Sequence, residues 1–143
     1  MPVDKSTMIE YRLETTIEQD GEREIFLFEG RGQIISLGEW LYLRYEEANT
    51  EVKVTIKLSR KGKMTIIRRA GQALLSRMSF DTAETGNALM PTPAGRMELE
   101  TVTQHMLQDY KEQPFSGTVE VAYILSSADQ ILGKYGISLQ FTT

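Results

Sequence analysis

The chain has 143 residues, 41% of them hydrophobic and 25% charged, with a net charge of −4 and no cysteine. These values predict one globular domain over residues 1–143, able to bury roughly 68 to 70% of its unfolded surface, and they exclude a disordered chain or any need for disulfide or metal staples. No run approaches the ~18 apolar residues of a spanning helix and the N-terminus lacks a signal-peptide pattern, so a cytoplasmic protein without membrane association is expected.

The first two strands are predicted as a long antiparallel hairpin about Asp20-Gly21. In that register Arg23 faces Glu18, Glu29 faces Arg12 and Arg31 faces Glu10, so the outward pairs carry opposite charges. The same alignment sets Phe26 and Phe28 against Thr15 and Leu13 on an apolar face, with Gly30 and Gly32 across from Tyr11 and Ile9. Gly30 then makes room for the Tyr11 ring. Ile25 and Leu27 fall on the outer face, as an apolar strip open to a partner.

A third strand runs from about Trp40 to Glu46. The fourth alternates Val52, Val54, Ile56 and Leu58 with Glu51, Lys53, Thr55 and Lys57, and Arg60-Lys61-Gly62-Lys63 turns the chain. Met64 to Ala70 and Ala73 to Phe80 continue the meander through Gly71. Adjacent Arg68 and Arg69 must face opposite sides of their strand, so one points toward the interior. A symmetrical turn at Lys61-Gly62 selects Arg69, and a bulged turn selects Arg68. The inward guanidinium needs a protein carboxylate, an anionic ligand or an escape to water at the strand end.

The basic stretch from Lys53 to Arg77 contains no interleaved Tyr, Phe or Trp, and it reads as solvated cross-strand charge pairs rather than a nucleic-acid surface. A loop holds one short strand near Ala88 to Met90 before a long strand begins at Arg96, with Met97, Leu99 and Thr101 on its inner face. His105 shares their parity, which puts it at the barrel mouth. A single histidine without cysteine supports neither a metal site nor a catalytic dyad. Glu46-Glu47 and the outward Glu98 and Glu100 read as ordinary solvated acids. Met64, Met78, Met90, Met97 and Met106 serve equally as adaptable lining or as core filler.

Leu107 to Gln113 is the least strand-like segment and is read as a helical turn or two ended by Pro114. Two last strands carry Val119, Val121, Tyr123, Leu125 and then Ile131, Gly133, Tyr135, Ile137, Leu139, Phe141. With a three-residue loop between them, Tyr123 faces Gly133. The predicted fold is all-β: a closed antiparallel meander barrel of about 8–10 strands, with at most a short helical turn near residues 106–113.

Thr92-Pro93-Ala94-Gly95-Arg96-Met97-Glu98-Leu99-Glu100, followed by Thr103, resembles the TPxGxLELxxxT stretch of the YwiB-like family, uncharacterised calycin-like barrels of Gram-positive bacteria. Leu41-Tyr42-Leu43-Arg44-Tyr45-Glu46-Glu47 and Ile67-Arg68-Arg69-Ala70-Gly71 are similar to two further elements of that family. The resemblance implies a lipocalin-like barrel and no assigned activity. Function is therefore expected to be non-enzymatic, without catalytic residue, metal or cofactor: a small apolar or anionic molecule held inside the barrel, with Arg68, Arg69, His105, Tyr11 and Tyr123 as its candidate contacts. The alternative is an interaction module, a homodimer included, working through its outer surface.

Overall fold

The computed structural model describes residues 6–93, 95–128 and 130–143, and every regular element in it is a strand. The strands are β1 (Thr7–Gln19), β2 (Glu22–Leu37), β3 (Trp40–Glu46), β4 (Val52–Ser59), β5 (Lys63–Ala70), β6 (Ala73–Asp81), β7 (Gly86–Thr92), β8 (Gly95–Glu112), β9 (Phe115–Ser127) and β10 (Gln130–Thr142). Each pairs antiparallel with its sequence neighbours, and β1 also pairs with β10, closing a ten-stranded meander barrel. Alternation explains the closure. In β4, Val54, Ile56 and Leu58 are buried while Lys53 is exposed and Thr55 and Lys57 are half-buried, so one side of a continuous sheet is apolar and must wrap on itself.

The first hairpin has the expected register, with Glu18 opposite Arg23, Arg12 opposite Glu29 and Glu10 opposite Arg31. Arg31 Nε lies 3.9 Å from Glu10 Oε1. Tyr11 lies against Gly30, where an added Cβ would stand 3.1 Å from the phenol oxygen. Yet Phe26 and Phe28, expected on a buried face, are 41% and 46% exposed. β3 covers β2 only from Gly32 to Leu37, so the Glu22–Arg31 half of β2 stands beyond the end of β3 with nothing packed over it among the described residues.

The lumen is filled by side chains. Ile9, Ile34, Leu43, Ile56, Leu58, Met64, Val119 and Leu139 are all buried at its centre, and Phe80 and Tyr123 meet there with ring centroids 4.5 Å apart. Each such aliphatic side chain contributes about 1.5 to 3 kcal/mol by leaving water. Met78, Met90 and Met106 pack on this core, whereas Met97, expected inside, is exposed at the start of β8.

No helical turn forms near 106–113. β8 continues as strand to Glu112, paired through Lys111 with Ser116 and Glu112 with Phe115, and the chain reverses at a cis Gln113-Pro114 bond. The segment looked polar because its inward positions include Gln108 and Tyr110, which satisfy each other. Tyr110 Oη donates to Gln108 Oε1 at 2.5 Å, and Gln108 Nε2 donates to the Ser59 carbonyl at 2.8 Å. With the Arg60 guanidinium 4.9 Å over the Tyr110 ring, this chain of contacts shuts one end of the barrel over the β4–β5 turn.

Candidate functional site

At the opposite end the inward arginine finds its carboxylate. Gly62 adopts φ +87°, so the turn from β4 to β5 takes three residues between the paired Ser59 and Lys63. That sets Val54 opposite Arg68, points Arg68 inward and leaves Arg69 exposed on the outer side. Arg68 Nη2 donates to Glu47 Oε1 at 2.7 Å and Arg68 Nε donates to Glu47 Oε2 at 3.1 Å, a two-pronged pair. Glu47 is held by its own turn: its N–H donates to the Val52 carbonyl, and its carbonyl accepts from the N–H and hydroxyl of Thr50.

Tyr45, two residues before Glu47, stacks on Tyr11 with centroids 4.2 Å apart. Burial is the main reason its phenol lies far above the ordinary range; Tyr11 and Glu47 push it the same way while Arg68 opposes them. The hydrogen bonds from Arg68 to Glu47 outweigh its burial and hold the guanidinium charged. Glu47 takes two of the five guanidinium N–H donors and neutralises the charge, so an anionic ligand at Arg68 would compete with Glu47 for it. Because the Arg68 side chain keeps 37% exposure and that of Glu47 25%, the pair is only half-desolvated. Glu47→Gln and Arg68→Met are each expected to lower unfolding free energy by about 1 kcal/mol, and the double variant by clearly less than the sum, read by urea denaturation.

The buried phenols also predict an alkaline limit. Burial raises Tyr45 and Tyr123 well above 10.0 and, against the Arg60 charge, lifts Tyr110 to about 12. The unfolded chain loses these protons near the ordinary value while the folded chain keeps them, so stability is intact below about pH 10 and falls as pH rises past it. Thermal melts across that range, followed by phenolate absorbance, should show these ionisations appearing together with unfolding.

The other expected contacts lie elsewhere. Ser127 pairs with Gln130 and a register shift follows at Ile131–Gly133, so Gly133 opposes Leu125 and Tyr123 faces Tyr135, not Gly133. Tyr123 stacks on Tyr135 at 5.3 Å within the filled lumen. His105 is outside the barrel rather than at its mouth. β8 carries one extra residue between Thr103 and His105, pairing them with Tyr123 and Ala122 in succession, and that bulge reverses the parity. Exposed His105 borders a shallow recess of about 210 Å³ beside Glu14 and Glu120. Of the five expected contacts, only Tyr11 and Arg68 come together, joined through Tyr45 and Glu47.

Three surface features remain. A recess of about 500 Å³ lies over the outer side of β1, β10, β9 and β8, along the row Glu29, Arg12, Gln140, Thr118 and Asp109. The bases of the middle stretch are dispersed: Lys61 Nζ lies 3.3 Å from Glu39, Lys57 Nζ sits 4.2 Å over the Trp40 ring, and Lys53 faces Glu46. The free half of β2 is different in kind, because Ile25, Phe26, Leu27 and Phe28 follow one another with 56, 41, 48 and 46% exposure.

Residues 11–139 match a family model described as Domain of unknown function (DUF1934). The chain belongs to this family. The Bacillus subtilis (strain 168) protein described as uncharacterized beta-barrel protein YwiB is 27% identical over 128 residues, covering 88% of this chain and 87% of that protein. The crystal structure of ywiB protein from Bacillus subtilis superposes with a TM-score of 0.75 at 23% identity, over 96% of this chain and 92% of that one, a likeness of fold. In this DUF1934 barrel Glu47, expected as an ordinary solvated acid, is instead the carboxylate that pairs with the inward Arg68, and Tyr45 joins it to Tyr11. A signal was present: Glu47 shares parity with the inward Leu41, Leu43 and Tyr45, and a protein carboxylate was one of the partners open to an inward arginine two strands on. The exposure of β2 also had a signal, since a second strand twice the length of the third must outrun it.

Proposed function

We propose that this protein is a non-enzymatic interaction module that takes up another polypeptide strand at the free edge of β2. The observation that carries the reading is the Glu22–Arg31 half of β2: among the described residues it is paired with β1 on one side only, it is exposed on both faces, and it bears four consecutive large apolar residues. Every second residue there directs its N–H and C=O away from β1, and an unpaired edge of that kind is a template for an added strand. Edges that proteins leave idle are short, twisted away or blunted by charge or proline; this half-strand has no proline, and its charges flank the run Ile25–Phe28 without interrupting it. A small molecule inside the barrel has weaker support, because the lumen is occupied by the Phe80 and Tyr123 rings and the inward Arg68 is already paired with Glu47.

Replacing Leu27 with the photo-crosslinker benzoyl-phenylalanine tests the reading, with the same replacement at Thr55 on β4 as control. Irradiation should yield a discrete protein adduct from position 27, suppressed by Ile25→Lys in the same chain. Absence of that adduct, or the same adduct from position 55, would refute the proposal.

A further inference from the structure

Resting on the strand-addition reading, we infer that the strand taken up is β2 of a second copy, paired antiparallel about a two-fold axis through Phe26. A two-fold axis normal to the sheet keeps inner side chains on the inner face, so only registers that oppose residues of equal parity are allowed. Four such registers keep the apolar run together. With the axis at Phe26, Ile25 meets Leu27 twice and Arg23 meets Glu29 twice on the outer face, while on the inner face Phe26 meets Phe26 and Glu24 meets Phe28. On the outer face, moving the axis to Leu27 opposes Arg23 to Arg31 and Ile25 to Glu29, moving it to Ile25 sets Arg23 against Leu27, and moving it to Phe28 sets Ile25 against Arg31. Only the Phe26 axis pairs apolar with apolar and opposite charge with opposite charge on the outer face.

The charge pattern of the existing sheet carries across that junction. On the outer face Lys134 of β10 stands opposite Glu18 of β1, which stands opposite Arg23 of β2. Across the axis the row meets Glu29 of the second copy, which already faces its own Arg12 on β1. Five strands in succession thus present lysine, glutamate, arginine, glutamate and arginine, and the symmetry generates a second identical row. The hairpin's opposite-charge pairs leave Arg23 and Glu29 each with a free side at the edge, where the other copy supplies the counterpart. In this register Glu22 meets Gly30, and the stretch between them gives about 30 Å of new ladder.

The test is a charge-swap mixture. Wild-type protein should sediment as a dimer at about 100 μM, and Arg23→Glu and Glu29→Arg, each of which opposes like charges twice, should weaken association at least about tenfold. Mixed in equal amounts, the two variants regain both Arg–Glu pairs and should return to dimer mass. Because the native chain has no cysteine, Phe26→Cys supplies a second reading: it should oxidise to a disulfide-linked dimer, whereas Leu27→Cys, offset from its twin by two residues, should not. A monomeric wild type, a mixture that stays monomeric, or equal cross-linking from both cysteines would overturn the inference. If wild type is monomeric while position 27 still photo-crosslinks to a different polypeptide, the second copy is wrong and strand addition stands. Without either result, both fall.

Discussion

Phe80→Ala is expected to lower the unfolding free energy by about 3 to 5 kcal/mol and to convert a filled barrel into a hollow one. Phe80 is only 1% exposed, its ring lies 4.5 Å from that of Tyr123, and Tyr123 in turn stacks on Tyr135. Removing the first ring takes away its own transfer energy and leaves a void that strands tied on both edges cannot collapse to fill. The void would have apolar walls, since Met64, buried beside this core, faces Phe80 across the β5–β6 pair. Benzene should therefore raise the melting temperature of the variant and leave that of the wild type unchanged. Phe80→Leu, which keeps most of the volume, should lose about 1 to 2 kcal/mol. A loss below about 1 kcal/mol for the alanine variant would mean that the lumen is loosely packed, and an interior ligand would regain support.

Gly86→Ala is the second large effect, about 3 kcal/mol, for the opposite reason. Among the described residues β7 pairs with β6 at Arg77–Leu89 and Met78–Ala88, and at its start the chain squeezes between neighbouring strands. Thr101 Oγ1 on β8 donates to the Ser79 carbonyl on β6 at 2.5 Å, directly beside Gly86. A Cβ at Gly86 would collide with that carbonyl oxygen and stand 2.6 Å from Thr101 Oγ1. Both obstacles are rigid, one being backbone and the other a fully buried hydroxyl, so the β6–β8 contact must open. Gly71→Ala is the control: its φ of +60° is strained for alanine but no atom lies within 4 Å, and the expected loss is about 1 kcal/mol. Equal midpoints for the two variants in urea would refute the steric account.

Most of the barrel was legible because strand pairing leaves a local imprint. The charge pairs Glu18–Arg23, Arg12–Glu29 and Glu10–Arg31 fixed the first hairpin register, and period-two alternation marked β4, β9 and β10. The misplaced contacts of His105 and Tyr123 come from counting across irregular pairing. One extra residue at Gln104 reverses the parity of His105, while the Ser127–Gln130 pairing and the extra residue at Leu132 each move the partner of Tyr123 by one position, from Gly133 to Tyr135. Arg68 and Arg69 were left open by the sequence for the same reason, until the conformation of Gly62 set the turn length.

What the amino-acid order determined by itself was the strand sequence, the inward and outward sets within each regular stretch, and closure of an apolar-faced meander. Those follow from backbone geometry and nearest-strand chemistry. What only the tertiary structure decided was which apolar residues are covered: Phe26 is no less hydrophobic than Phe80, yet one lies at an open edge and the other at the centre. Coverage depends on how far each neighbouring strand extends once the barrel has closed, and on bulges that shift one strand against the next, and these are properties of the assembled sheet.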